Sequence, residues 1–245
     1  MPLQPAIFLD RDGTLIRNEH YGFDPGRMQL LPGVIQGLQA LQRIGYRFIV
    51  ITNQSGIARG YFQERHLAAM HRRLRQILSA YGIRLDSIYY CPHHPDGQVS
   101  GFNIACGCRK PQPGMLHRAA RERQVDLGRS WLVGDILNDV QAGNTAGCRT
   151  ILIDLGTEDM PTTPPRTPTY LAHDFLHAAR LILAHENRHA GPVVPLALQI
   201  LNNGTGAQPR VVMDGGQGRF LKPGVSIRKA KVGGRSGPPS EKEPL

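Results

Sequence analysis

The feature that most constrains this chain is an alternation. Short apolar runs at 5–10 (Pro-Ala-Ile-Phe-Leu-Asp), 48–53, 88–90, 131–135 and 150–154 are separated by stretches whose apolar residues recur at helical spacing. Runs that stay apolar throughout belong to strands buried on both faces, and strands alternating with helices lie parallel in one covered sheet. The expected fold is therefore α/β, a doubly wound and mostly parallel sheet with helices on both faces. Val34, Leu38, Leu41 and Ile44 mark a helix ending at Gly45, and Leu67, Met70, Leu74, Leu78 and Tyr81 mark the apolar stripe of a second. Further helices are expected over 113–123 and 136–146, and a closing one carrying Leu171, Phe175, Ala178 and Ile182. No stretch between the motifs is long enough for a large cap domain. In such sheets ligands bind beyond the carboxyl ends of the strands. Those ends carry Asp10, Thr52-Asn53 and Asp135.

Asp10 and Asp12 stand two apart at the end of the first run. Strand geometry sends both carboxylates to one side and Arg11 elsewhere. Two like charges facing one spot call for a cation or for a proton on one of them, so the pair fits a divalent metal or a general acid. Gly13 allows a tight turn, and Asp-Gly is also a common turn dipeptide. A second cluster is Cys91-x-His93 with Cys106-x-Cys108, a Cys₃His set suited to tetrahedral Zn²⁺. His94 could replace His93, and a disulfide is the competing use of these thiols. A filled tetrahedron would be structural, fixing loop 91–108. Cys148 reads as a buried, inert thiol.

Phe-Leu-Asp-Arg-Asp-Gly-Thr-Leu at the first strand, Ile-Thr-Asn-Gln-Ser-Gly at the second, Cys-Arg-Lys-Pro before a helix and Val-Gly-Asp-Ile-Leu-Asn-Asp at a later strand occur in that order. Together they resemble the haloacid dehalogenase superfamily over about residues 5–185. The longer stretches at 52–60 and 89–95 resemble its sugar bisphosphate phosphatases. A histidinol-phosphate phosphatase, which shares the Asp motif and the zinc loop, is the nearest alternative. The resemblance implies Asp10 as nucleophile, Asp12 as acid and base, and Thr52 and Lys110 as holders of the phosphoryl group. It implies Mg²⁺ on Asp10, Asp12 (through its backbone carbonyl) and Asp135, with Asp139 behind them, and Zn²⁺ on Cys91, His93, Cys106 and Cys108. Substrate contacts fall on Asn18, Glu19, His20, Tyr21, Asn53, Gln54, Ser55, Arg59 and Arg109, the arginines suiting a second phosphate. Ile136 follows the metal Asp where some members carry a basic or polar residue. The substrate implied is a small phosphorylated sugar.

A net charge of +10 raises a rival of another class, a zinc-containing nucleic-acid-binding protein. Much of that charge lies in residues 186–245, rich in Gly and Pro with Phe220 as sole aromatic, which gives bases little to stack on. The expected organisation is a phosphatase domain over 1–185 and a basic, disordered tail over 186–245. No apolar run reaches membrane-spanning length and the first residues lack a signal-peptide pattern, so a cytoplasmic monomer with no specific nucleic acid and no membrane partner is expected.

Overall fold

The computed structural model describes residues 3–19, 21–159 and 163–190. Six strands, β1 (Ala6–Leu9), β2 (Arg47–Asn53), β3 (Leu85–Cys91), β4 (Trp131–Gly134), β5 (Arg149–Ile153) and β6 (Tyr170–Ala172), form one sheet in the order β3-β2-β1-β4-β5-β6. All pairings are parallel. The helices are α1 (Val34–Arg43), α2 (Glu64–Ala80), α3 (Gly114–Arg123), α4 (Leu137–Ala146) and α5 (Phe175–Ala190). None is long and apolar enough to cross a membrane.

The apolar runs are continuous because each strand feeds two cores. Ile7 and Leu9 of β1, with Phe48, Val50 and Val133, pack on Leu38 and Leu41 of α1, Leu74 and Leu78 of α2, and Phe175, Ala178 and Ile182 of α5. Ala6 and Phe8, with Ile49, Ile51 and Leu132, face Met115, Leu116 and Ala119 of α3 and Ala142 of α4. A strand period of two thus sends alternate residues to opposite helix layers.

β1 lies between β2 and β4, so the chain leaves β1 toward one edge and later returns to its other side. That reversal opens a crevice beyond the carboxyl ends of β1 and β4. Asp10 follows β1 and Asp135 follows β4.

Two expectations need correction. Leu171 belongs to the three-residue strand β6, not to the closing helix, which begins at Phe175. The domain also runs past 185, because α5 continues to Ala190 and Glu186 accepts a hydrogen bond from the indole of buried Trp131 at 3.3 Å. The rest of the expected tail, 191–245, lies outside the described residues.

Candidate active site

Lys110 is the centre of the crevice. Its ammonium is 2.5 Å from Asp10 Oδ1 and 2.5 Å from Asp139 Oδ1, and donates to the Ile51 carbonyl at 3.0 Å. Its side chain is only 1% exposed. A lysine this deep is tolerable only with its charge paired. Burial works against its ammonium, but the two carboxylates outweigh that and hold the pKa above the ordinary lysine value. Its backbone is clamped by one side chain: Asn53 Nδ2 donates to the Lys110 carbonyl and Asn53 Oδ1 accepts from the Lys110 N–H, both at 3.0 Å. The second strand end therefore positions the lysine through Asn53.

Asp10, Asp135 and Asp139 bring carboxylate oxygens within 4.8 Å of one another, all three buried. Against them stands the single charge of Lys110. Burial, partly offset by Lys110 and reinforced by Asp139 and Asp135, raises the Asp10 carboxyl well above its usual range. Burial, with Asp139 beside it, pushes Asp135 up to about 7. Three hard oxygen donors with charge left uncompensated are what Mg²⁺ prefers, so the residues fit that ion.

Two glycines permit this convergence. Gly13 has φ +83°, and a Cβ there would overlap the Asp135 carboxylate; a Cβ on Gly134 would overlap that of Asp139. Thr14 Oγ1 donates to Asp135 Oδ1 at 3.2 Å. Asp139 is fully buried, lies within reach of Asp10 and Asp135, and faces Lys110 directly. Its Oδ2 accepts from the Ile136 N–H at the start of α4.

Asp12 stands outside this trio. Arg11 does not point away from it, as strand geometry predicts, because β1 ends at Leu9 and the chain bends at Arg11 into the turn over 13–15. Instead the Arg11 guanidinium grips both Asp12 oxygens at 2.8–3.1 Å, and Gln54 Nε2 donates to Asp12 Oδ2 at 3.0 Å. The same amide donates to Thr52 Oγ1 at 2.8 Å, which leaves the hydroxyl proton of buried Thr52 to donate elsewhere.

A cavity of about 210 Å³ opens beside Asp12. Its wall includes Asn18, Glu19, Tyr21, Asn53, Gln54 and Ser55, gathering most of the expected substrate contacts. Arg11 and Gly56, which the motifs contain without a role of their own, and Phe62, which no motif contains, also line it. His20 lies outside the described residues. Arg59 and Arg109 are not in this wall. Arg59 Nη2 is 3.2 Å from His94 Nε2, and Arg109 donates to the His93 carbonyl at 3.4 Å. Both lower the pKa of His94, after burial as the larger cause.

The second cluster also assembles. Cys91, Cys106 and Cys108 have Sγ atoms 3.2–3.5 Å apart, and His93 Nδ1 is 3.4 Å from Cys108 Sγ and 3.7 Å from Cys91 Sγ. A tetrahedron with Zn–S bonds of about 2.3 Å has edges of about 3.8 Å, so the four atoms surround a point suited to Zn²⁺. His94 turns to Arg59 instead. Cys148 is buried, and that burial pushes its thiol up to about 12.

A family profile described as HAD-hydrolase-like matches residues 107–178. The D-glycero-beta-D-manno-heptose-1,7-bisphosphate 7-phosphatase of Yersinia pestis is 43% identical over 153 residues, 62% of this chain and 81% of that one. The enzyme of the same name from Escherichia coli K12 is 42% identical over 161 residues, 65% and 83% of the respective chains. Among solved structures, a D,D-heptose 1,7-bisphosphate phosphatase from B. bronchiseptica complexed with magnesium and phosphate aligns with a TM-score of 0.63 at 34% identity, over 74% of this chain and 99% of that one. With its six-stranded parallel sheet and its acidic cluster at the β1–β4 crevice, the chain belongs to the heptose bisphosphate phosphatase family of HAD-like hydrolases.

Proposed function

We propose that the chain is a Mg²⁺-dependent phosphatase that removes the 7-phosphate of D-glycero-β-D-manno-heptose 1,7-bisphosphate and leaves heptose 1-phosphate. The observation that carries this reading is the buried Asp10–Lys110 pair within a three-carboxylate cluster beside a polar-walled cavity. Relatives more than 40% identical support the sugar and the anomer through their names.

In this reading the Asp10 carboxylate attacks phosphorus while the ester P–O bond breaks, and Asp12 gives its proton to the departing alkoxide. The aspartyl phosphate is then opened by water at phosphorus. Asp12 takes the water's proton, inorganic phosphate leaves and Asp10 is regenerated. Lys110 and the Thr52 hydroxyl hold phosphoryl oxygens, where preorganised donors contribute most to phosphoryl transfer. Mg²⁺, when bound, neutralises charge on those oxygens; Asp10, Asp135 and the Asp12 carbonyl would hold it, with Asp139 fixing Lys110. Zn²⁺ on Cys91, His93, Cys106 and Cys108 would brace the loop leading to Arg109 and Lys110. Arg109 and Arg59, each near His94, suit the second phosphate.

Phosphate release from the α and β heptose bisphosphates and from histidinol phosphate, with Mg²⁺ and with chelator, tests the proposal. The β anomer should turn over fastest and chelator should stop it. Faster release from histidinol phosphate would assign the chain to that substrate instead.

A further inference from the structure

Arg11 is placed unlike the other arginines near the sheet. Arg47, Arg75 and Arg149 each give a donor to a backbone carbonyl, as arginines that tie segments together do. Arg11 is buried to 3% exposure, yet both Nε and Nη2 are spent on one carboxylate, that of Asp12, and its Nη1 is buried without a partner. Burying a guanidinium and leaving one of its nitrogens unmatched costs stability. Nothing in the fold needs that cost, because the partner it holds is the next residue along the chain.

The fork does fix orientation. A planar guanidinium binding both oxygens of a carboxylate sets its plane as well as its position, which a point charge does not. Gln54 adds a third donor on Oδ2. The Arg11 backbone is itself pinned, its carbonyl accepting from the N–H groups of Leu15 and Ile16 at 3.0 Å each. Burial, then Arg11 and Arg75, lower the pKa of His71 of α2 to about 3, so that ring adds no second positive charge near the guanidinium. Asp12 keeps about a quarter of its side chain exposed (27%) and lines the cavity, and Oδ1, which Gln54 does not engage, retains lone-pair capacity away from the fork.

We propose that Arg11 is a positioning residue that holds the Asp12 carboxylate at the cavity wall in the one orientation from which it can pass a proton to a leaving group. This rests on the reading of Asp12 as general acid. Arg11 touches no reacting atom; it acts through Asp12.

The test compares kcat/KM on an alkyl phosphate, whose leaving alkoxide needs a proton, with that on an aryl phosphate, whose phenolate does not. Both values report the steps through departure of the leaving group. The full-length Arg11→Gln, Asp12→Asn and doubly substituted proteins are measured with Mg²⁺. General acid catalysis contributes about 10²- to 10⁴-fold, so the alkyl-to-aryl ratio should fall by about 10²-fold or more in each single variant. The double variant should fall no further than Asp12→Asn, because residues acting as a unit are not additive. Arg11→Lys, which keeps a cation without the fork, should show an intermediate ratio, and it carries the test if Arg11→Gln does not fold. An equal loss on both substrates would make Arg11 merely structural, and an unchanged ratio in the Arg11 variants would overturn the proposal. If Asp12→Asn itself leaves the ratio unchanged, the general-acid reading fails first, and separately.

Discussion

A lysine with two carboxylates at 2.5 Å, almost fully buried, has two duties. It neutralises Asp10 and Asp139 in the resting protein, and it is the cation nearest the carboxylate proposed to attack phosphorus. Lys110→Met keeps the bulk and removes the charge. Breaking a buried pair from one side typically costs about 3–5 kcal/mol, so urea unfolding of the metal-free variant should show a loss of that order together with loss of turnover. Asn53→Ala is subtler. It removes both clamps on the Lys110 backbone, and each hydrogen bond contributes about 0.5–1.5 kcal/mol, so the variant should fold, retain the metal and lose kcat. An Asn53→Ala enzyme with unchanged kcat but raised KM would make Asn53 a substrate contact instead. Asp10, Asp12 and Asp135 were legible as candidates because each sits in a short motif just beyond a strand, and Lys110 because its motif, Cys-Arg-Lys-Pro, precedes a helix. Arg11 was not: the period-two rule that aligns Asp10 with Asp12 holds inside a strand, and the strand stops at Leu9. Asp139 was half legible, since its helical spacing from Asp135 shows proximity but not that Gly134 clears the room it occupies.

At the scale of elements, the loop between β3 and α3 links two functions. Cys91 ends β3, Cys108 lies two residues before Lys110, and the N–H groups of Gln98 and Val99 donate to the Ala58 carbonyl beside Arg59. Fixing this loop should therefore fix both the lysine and the arginines. Cys106→Ser should lower zinc content measured by atomic absorption, lower Tm and reduce kcat with Mg²⁺ saturating. Full activity in a zinc-free protein would show that the loop holds its shape unaided. The two-faced core was readable because β1 and β4, and β2 from Phe48 to Ile51, are unbroken apolar runs. β6 was not, as three residues are too few to reveal a period and Leu171 also fits a helical one. β3 was seen only in its last part, because Asp86 and Ser87 interrupt the apolar run in a strand at the sheet edge.

For the molecule as a whole, the acidic cluster makes stability depend on pH and on metal together. Asp135, raised to about 7 from its usual 3.8, binds its proton more tightly folded than unfolded, and Asp10 is raised in the same direction. Stability of the metal-free protein should therefore fall as pH rises from about 4 through about 7. A divalent cation binds the ionised carboxylates and offsets that loss. The rise in Tm on adding Mg²⁺ should be larger at about pH 8 than at about pH 5. An equal rise at both would mean that these carboxylates do not bind the ion.

In the proposed reaction Asp10 carries the phosphoryl group during turnover. Rapid acid quenching of the full-length enzyme with heptose bisphosphate radiolabelled in its 7-phosphate, followed by peptide mapping, tests it most directly. Label is expected on the peptide containing Asp10 and none in Asp10→Asn. Label on another residue, or steady turnover by Asp10→Asn, would contradict it.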